Sequence, residues 1–337
     1  MMRYTAYKKY FFYLNNYSTF KKINNILLNQ REFYFKKTTL KSLPYKITID
    51  PASHCNLKCP ACHTGTKFSE MIKPSFLKFN DFKSILDQVK DHTLSIALYN
   101  WGEPFLNKEI FDIISHATES KVGTTMHSNF NHFNEKMADN LVRSGLTHIY
   151  LSVDGATQEV YEQYRVKGKL NNVLHNIEIL NEAKRRHKSL FPIITWKYLV
   201  FDHNKHEIQN AFQISKMLKV DNFEAFPAQP VLRDIYDEAE EYRLKPSKLG
   251  ELKQDCKSLW ASLYITPDGT TFPCSLSFRE SESFGNILKE DLSEIWNNNK
   301  YLNARSLFSG KFSKEDIPHP CKGCKFYLKV CALGSVK

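Results

Sequence analysis

From Tyr45 onward, short runs rich in β-branched and aromatic residues alternate with longer amphipathic ones, as successive βα units do around a parallel sheet. Six runs read as strands: YKITID from Tyr45, SIALYN from Ser95, GTTMHSN from Gly123, HIYLSVD from His148, IITWKYLV from Ile193 and NFEAFPA from Asn222. The segments between them carry helical spacing. One opens at Asn80 and Asp81 and sets Phe82, Ile85, Leu86 and Val89 on a single face, which predicts a helix lying against the sheet. Six such units make an incomplete barrel or an open doubly wound sheet, and either gathers its ligands at the carboxyl ends of its strands. Cys55, Cys59 and Cys62 follow the first strand, Gly102 to Pro104 the second, Ser128 and Asn129 end the third, and Ser152 to Gly155 end the fourth. Four strand ends point at one site.

The pattern changes twice outside these units. After Ala228 a charged stretch runs through Lys248, followed by a cysteine-bearing region whose LYITPDGTTFPC string reads as a hairpin turning at Asp268-Gly269. The chain therefore divides into an extension over residues 1–44, a core over 45–249 and a smaller domain over 250–337. In the extension, Tyr4, Tyr7, Phe11 and Leu14 follow helical spacing, with Lys8, Lys9, Lys21 and Lys22 interspersed. The favoured reading is a leading helix that closes the bottom of the barrel with its lysines solvated. The second is a segment lying on an anionic membrane surface or holding a lipid-linked substrate, and RNA binding by the extension is a weaker third.

Charge and composition narrow the function. The formal charge of the 337 residues is +11, but residues 1 to 45 hold nine Lys or Arg and one acid, Glu32, while the remainder is close to balanced. That distribution does not make a nucleic-acid binder, so no nucleic acid is expected as a partner. No apolar run approaches the roughly 18 residues of a membrane span, and no secretory signal opens the chain, so a cytoplasmic protein is expected, membrane-peripheral only through its extension. Eight cysteines in a reducing compartment point to metal ligation before disulfides.

The string CNLKCPAC places Cys55, Cys59 and Cys62 in one loop, where three thiolates can hold three corners of a cubane iron–sulfur cluster and leave the fourth iron open to a ligand. A zinc site completed by His54 or His63 is the bland alternative. Near the other end, Cys256, Cys274, Cys321 and Cys324 supply four thiolates, which close a site for either a complete cluster or a structural zinc. Cys331 is left over and is read as a buried thiol.

The CNLKCPAC loop after a first strand, NWGEP after the second and LSVDGATQEVYEQYR after the fourth together resemble the radical S-adenosylmethionine (SAM) superfamily, with Trp101 in the first glycine position of that family's GGEP motif. Ala61 stands where such enzymes often have an aromatic residue, a departure that concerns packing against adenine and not ligation. The string DCKSLWASLYITPDGTTFPC, with Gly269 five residues before Cys274, is similar to the SPASM extension of these enzymes, in the shortened form sometimes called twitch, since the cysteines are too few for two auxiliary clusters. The resemblance implies an α/β fold, a partial (β/α)6 TIM-like barrel with a small C-terminal cysteine-rich iron–sulfur domain. It implies SAM, a SAM-binding 4Fe–4S cluster on Cys55, Cys59 and Cys62, and one auxiliary 4Fe–4S cluster.

It also implies that Gly102, Glu103 and Pro104 bind SAM, the first two receiving its amino group, that Ser152 and Asp154 lie near its ribose or carboxylate, that Arg165 donates to the carboxylate and that Asn129 reaches the ribose. For Asn129 and Asp154 a strand-ending turn or helix cap is an equal reading. The expected activity is an oxidoreductase that cleaves SAM reductively to a 5′-deoxyadenosyl radical and abstracts hydrogen from substrate carbon, served by a flavodoxin- or ferredoxin-type electron donor. A small polyol, sugar or sugar-lipid is the favoured substrate and a peptide or protein side chain the runner-up. A non-catalytic protein with two zinc sites is the alternative from another class.

Overall fold

Six parallel strands form where the six runs predict them: β1 (Lys46–Ile49), β2 (Ser95–Leu98), β3 (Gly123–Ser128), β4 (His148–Ser152), β5 (Ile193–Val200) and β6 (Asn222–Pro227). They belong to a computed structural model that describes residues 12–66, 74–228, 256–275, 277, 280–309 and 321. Each strand pairs with the next in chain order. A doubly wound sheet reverses its strand order at a switch point, and this one never reverses, so of the two expected architectures the incomplete barrel is the one formed.

Helix α1 (Phe20–Tyr34) precedes the sheet. After it come α2 (Phe79–Val89), α3 (Ile110–Glu119), α4 (Glu135–Ser144), α5 (Gln158–Tyr164), α6 (Leu170–Arg186) and α7 (Ile208–Met217), which fill the βα connections. Helix α2 buries Phe82, Ile85, Leu86 and Val89 completely, the face its spacing predicts. Helix α4 shows why a short helix stops where it does. The Asn134 side chain caps its first turn by accepting from the Met137 amide, and Gly145 ends it at φ 81°, a left-handed conformation that a β-carbon would strain. Inside the barrel the His127 ring on β3 stacks on Tyr99, just past β2, and lies tilted against Tyr150 on β4, with centroids 3.9 and 4.5 Å apart.

The predicted hairpin is present, as β7 (Ser262–Ile265) and β8 (Thr270–Phe272), with Gly269 at φ 80° in its turn. Its position is not legible in the string. Strand β7 pairs in parallel with β1, and β9 (Gly285–Asn286) follows β8, so one nine-stranded sheet runs through both stretches of chain among the described residues. The free edge of β1 is a row of unpaired amides and carbonyls, and β7 satisfies it. Helices α8 (Ser258–Ala261), α9 (Leu292–Trp296) and α10 (Asn299–Ser306) pack beside the hairpin. There the buried Arg305 donates to the carbonyls of Leu259 and Thr38 at 2.9 and 3.0 Å and stacks on Trp296, while burial pushes its pKa down to about 9.

The leading helix departs from expectation in one respect. Lys22 is not solvated: it is 2% exposed and donates to the carbonyls of Tyr17 and Lys121. Asn25 donates to the carbonyls of Leu43 and His92, Asn29 to that of Trp260, and Glu32 accepts from the amides of Lys41 and Ser42. These backbone groups lie just before strands, at the amino end of the barrel, and a helix laid across them must offer polar groups because buried carbonyls and amides need partners. Leu14 is 42% exposed, while Tyr4, Tyr7, Phe11, Lys8 and Lys9 lie outside the described residues, as do the charged stretch beyond Ala228, Cys324 and Cys331. No helix among the described residues is long and apolar enough to cross a membrane.

Because Leu263 is fully buried in β7, its replacement by Ala is expected to cost about 2–5 kcal/mol. The loss should lower the urea midpoint seen by the barrel tryptophan, Trp196, and by Trp260 together. Two separated transitions, with only the second shifted, would show that β7 is not integral to the barrel sheet.

Candidate active site

The three loop cysteines line one pocket at the carboxyl end of the barrel, and two of them are held by residues from other units. Asn129, just past β3, donates through Nδ2 to Cys55 Sγ at 3.4 Å and to Asn56 Oδ1 at 2.8 Å. Arg165, at the end of α5, places Nη1 3.8 Å from Cys59 Sγ. The Cys62 sulfur lies 3.3 Å from the Thr64 hydroxyl, which donates to the carbonyl of Trp101 past β2 at 3.0 Å. The loop is thus placed by contacts from three other βα units, one of them relayed through its own Thr64.

Two buried carboxylates fix the turn after β2 over this loop. Asp50, at the end of β1, accepts from the amides of Trp101 and Gly102 at 3.0 and 3.3 Å. Glu103 accepts from the Ser128 hydroxyl at 2.7 Å and from the amides of Asn129 and Phe105 at 2.8 and 3.3 Å. Burial pushes both carboxyls up to about 7, against the pull of these hydrogen bonds. Gly102 is required where it stands, since a β-carbon there would lie 1.7 Å from the Ala52 carbonyl oxygen. Pro104 begins a short 3₁₀ turn that the Glu103 side chain caps.

Arg165 is half-buried in the pocket wall, and although loss of water works against its charge, Asp154, Cys59 and the neighbouring tyrosines together outweigh it, so its pKa is raised. Its Nε donates to Asp154 Oδ2 at 2.6 Å, and Asp154 Oδ1 accepts from the Leu199 amide at 2.6 Å. Of the residues that the resemblance singles out, Gly102, Glu103, Asn129, Ser152 and Arg165 line the pocket with the cysteines. Pro104 and Asp154 do not; Asp154 spends both oxygens inside the protein.

The structure adds Thr64, Tyr99, His127 and Lys197 to the lining, none of which belongs to a motif. Lys197 sits on β5 opposite Ser152, and burial lowers its pKa. A lysine in the middle of the otherwise apolar run IITWKYLV is the trace it leaves in the sequence.

Three thiols lining one pocket are a donor set that suits three corners of a cluster. Among the described residues no group of three or more His, Cys, Asp or Glu converges closely enough to hold a single metal ion, and the His63 ring packs edge-on against Trp101. Burial pushes the Cys55 and Cys59 thiols up to about 12 and 11, so any metal they took would displace their protons. At the C-terminal stretch, Cys256 and Cys321 pack against the main core, and Cys256 and Cys274 both stand near enough to the Tyr264 phenol to raise its pKa, after the larger effect of burial. Cys324 lies outside the described residues.

Residues 49–210 match the family model of the Radical SAM superfamily, and residues 256–325 match SPASM, an iron-sulfur cluster-binding domain. The AdoMet-dependent heme synthase of Methanosarcina barkeri is 22% identical over 340 residues, which cover 87% of this chain and 91% of that protein. The PqqA peptide cyclase of Xanthomonas axonopodis pv. citri is 21% identical over 311 residues, covering 83% of this chain and 80% of its own. The crystal structure of Streptococcus suis SuiB bound to precursor peptide SuiA matches with a TM-score of 0.61 at 16% identity, over 89% of this chain and 74% of that one, which is a likeness of fold.

Replacing Gly102 by Ala should drive the turn off the cysteine loop, because its clash is with backbone that cannot swing away. The purified variant is expected to keep its far-UV circular dichroism and to take up far less iron and sulfide on anaerobic reconstitution than the wild type. Wild-type iron content would show that the close approach of turn and loop is dispensable.

Proposed function

This chain belongs to the radical SAM superfamily and carries a SPASM domain, and from that premise we propose that it modifies a peptide or protein side chain. The carrying observation is the convergence of Cys55, Cys59 and Cys62 with Arg165 on one pocket at the barrel mouth. SAM and 4Fe–4S clusters are its cofactors, and bound on the three thiolates of this site they would supply abstraction of hydrogen from carbon by a SAM-derived radical.

The chain's own groups prepare the place. Cys55, Cys59 and Cys62 offer three thiolates, and the amide of Asn129 and the guanidinium of Arg165 donate to two of the sulfurs, which favours their anionic form. Asp154 holds Arg165 in the pocket wall, where its remaining donors suit the carboxylate of SAM. Gly102 and Glu103 face the same space and suit the amino group, and Ser152 suits the ribose or carboxylate. Lys197 on β5 and His127 on β3 line the same pocket and add polar groups to the wall a substrate would meet. Cys256, Cys274, Cys321 and Cys324 would hold the auxiliary cluster, which serves to pass electrons, and a flavodoxin or ferredoxin would deliver them to the enzyme.

Two of the similar proteins, the PqqA peptide cyclase and SuiB with its precursor peptide, support a peptide over the polyol or sugar favoured by the sequence reading. The similarity to a heme synthase keeps a small-molecule substrate as the second reading.

Cys59→Ala should reduce dithionite-driven 5′-deoxyadenosine formation to the level without enzyme. Release at the wild-type rate would remove the cysteine loop from the chemistry. Anaerobic incubation of the reconstituted enzyme with a short peptide encoded beside its gene should change the mass of that peptide in a SAM-dependent way. An unchanged peptide, together with turnover of a small molecule, would decide for the second reading.

A further inference from the structure

Helix α1 is built inside out. Its inward face is Lys22, Asn25, Asn29 and Glu32, all buried, whereas Phe20, Leu27, Tyr34 and Phe35 point to solvent at 89, 63, 77 and 61% exposure. Residues 20, 27, 31 and 34 fall within one narrow stripe of a helix that turns every 3.6 residues, and the fourth member of that stripe is the exposed Arg31. Lys37 and Lys41 are exposed just beyond the helix, and Lys21 is exposed at its start in a surface pair with Asp91 at 2.6 Å. The single acid of the first 45 residues, Glu32, is 1% exposed and takes hydrogen bonds from Lys41 and Ser42. The outward stripe therefore combines large apolar groups with Arg31, is followed by the exposed Lys37 and Lys41, and contributes no anion of its own, Asp91 beside Lys21 being paired.

We propose that this face docks the protein on an anionic lipid bilayer. Aromatic and aliphatic groups standing out from a convex helix insert at the headgroup boundary, and Arg31, Lys37 and Lys41 meet the negative surface. The inward groups of α1 bind backbone at the amino ends of the strands, so the docked face is at the opposite end of the barrel from the cysteine pocket. The pocket then opens toward solution. This surface does not depend on the peptide reading, though it separates bilayer contact from substrate entry and so tells against a sugar-lipid drawn directly from the membrane.

The test is flotation of the full chain with vesicles of phosphatidylcholine alone and of phosphatidylcholine with phosphatidylglycerol. Binding is expected only to the second, and it should weaken as salt is raised. An Arg31→Glu, Lys37→Glu double variant should lose about tenfold or more in partitioning, since each cation near an anionic surface is worth roughly fivefold. A Leu27→Ser, Tyr34→Ser variant should lose a similar amount, and both should form 5′-deoxyadenosine at the wild-type rate. Should either variant fail to fold, the lipid and salt dependence of the wild type decides. Failure to float, equal binding to both vesicles, wild-type binding by folded variants, or a stripe whose mutation instead breaks a protein complex would each overturn the proposal.

Discussion

Two carboxylates buried without an ion-pair partner among the described residues hold the top of the barrel together. Asp50 closes on the amides of Trp101 and Gly102, and Glu103 on the hydroxyl and amide that end β3. A carboxylate taken out of water is costly unless hydrogen bonds replace its hydration, and here the replacements are backbone amides from neighbouring strand ends. The same bonds that satisfy Asp50 and Glu103 draw three βα units to one point. Without them the turn after β2 has no reason to press against the cysteine loop so closely that only glycine fits.

Because the loop is gripped from several sides, its sulfurs are positioned by distant parts of the chain. Asn129 reaches Cys55, Arg165 reaches Cys59, and Thr64 links Cys62 to Trp101. Such donors to sulfur stabilise the thiolate form and influence the potential of a cluster held there. Asp154 belongs to the same arrangement one layer out: it fixes Arg165 and ties β4 to β5 through the Leu199 amide.

The two ends of the barrel solve opposite problems. At the carboxyl end polar groups are gathered and left facing a pocket. At the amino end the carbonyls and amides that precede β1, β2, β3 and β7 have to be covered, and α1 covers them with Lys22, Asn25, Asn29 and Glu32. A helix that spends its polar residues inward is left with its apolar ones outside, which is the origin of the stripe from Phe20 to Phe35.

The sequence by itself determined the elements and the chemistry. Period-two and period-3.6 patterns are local, so the six strands, the buried face of α2 and the hairpin at Asp268-Gly269 were all legible, and cysteine spacing within one loop is set by the covalent chain. What only the tertiary structure decided are the meetings of residues far apart in sequence. The barrel rather than the doubly wound sheet, the pairing of β7 with β1, the inward turn of Lys22 and the joining of Lys197 and His127 to the pocket all depend on which strand lies beside which. Asp154 was legible as a polar residue at a strand end, but whether it faces a ligand or Arg165 is settled by 2.6 Å of packing that no local pattern encodes.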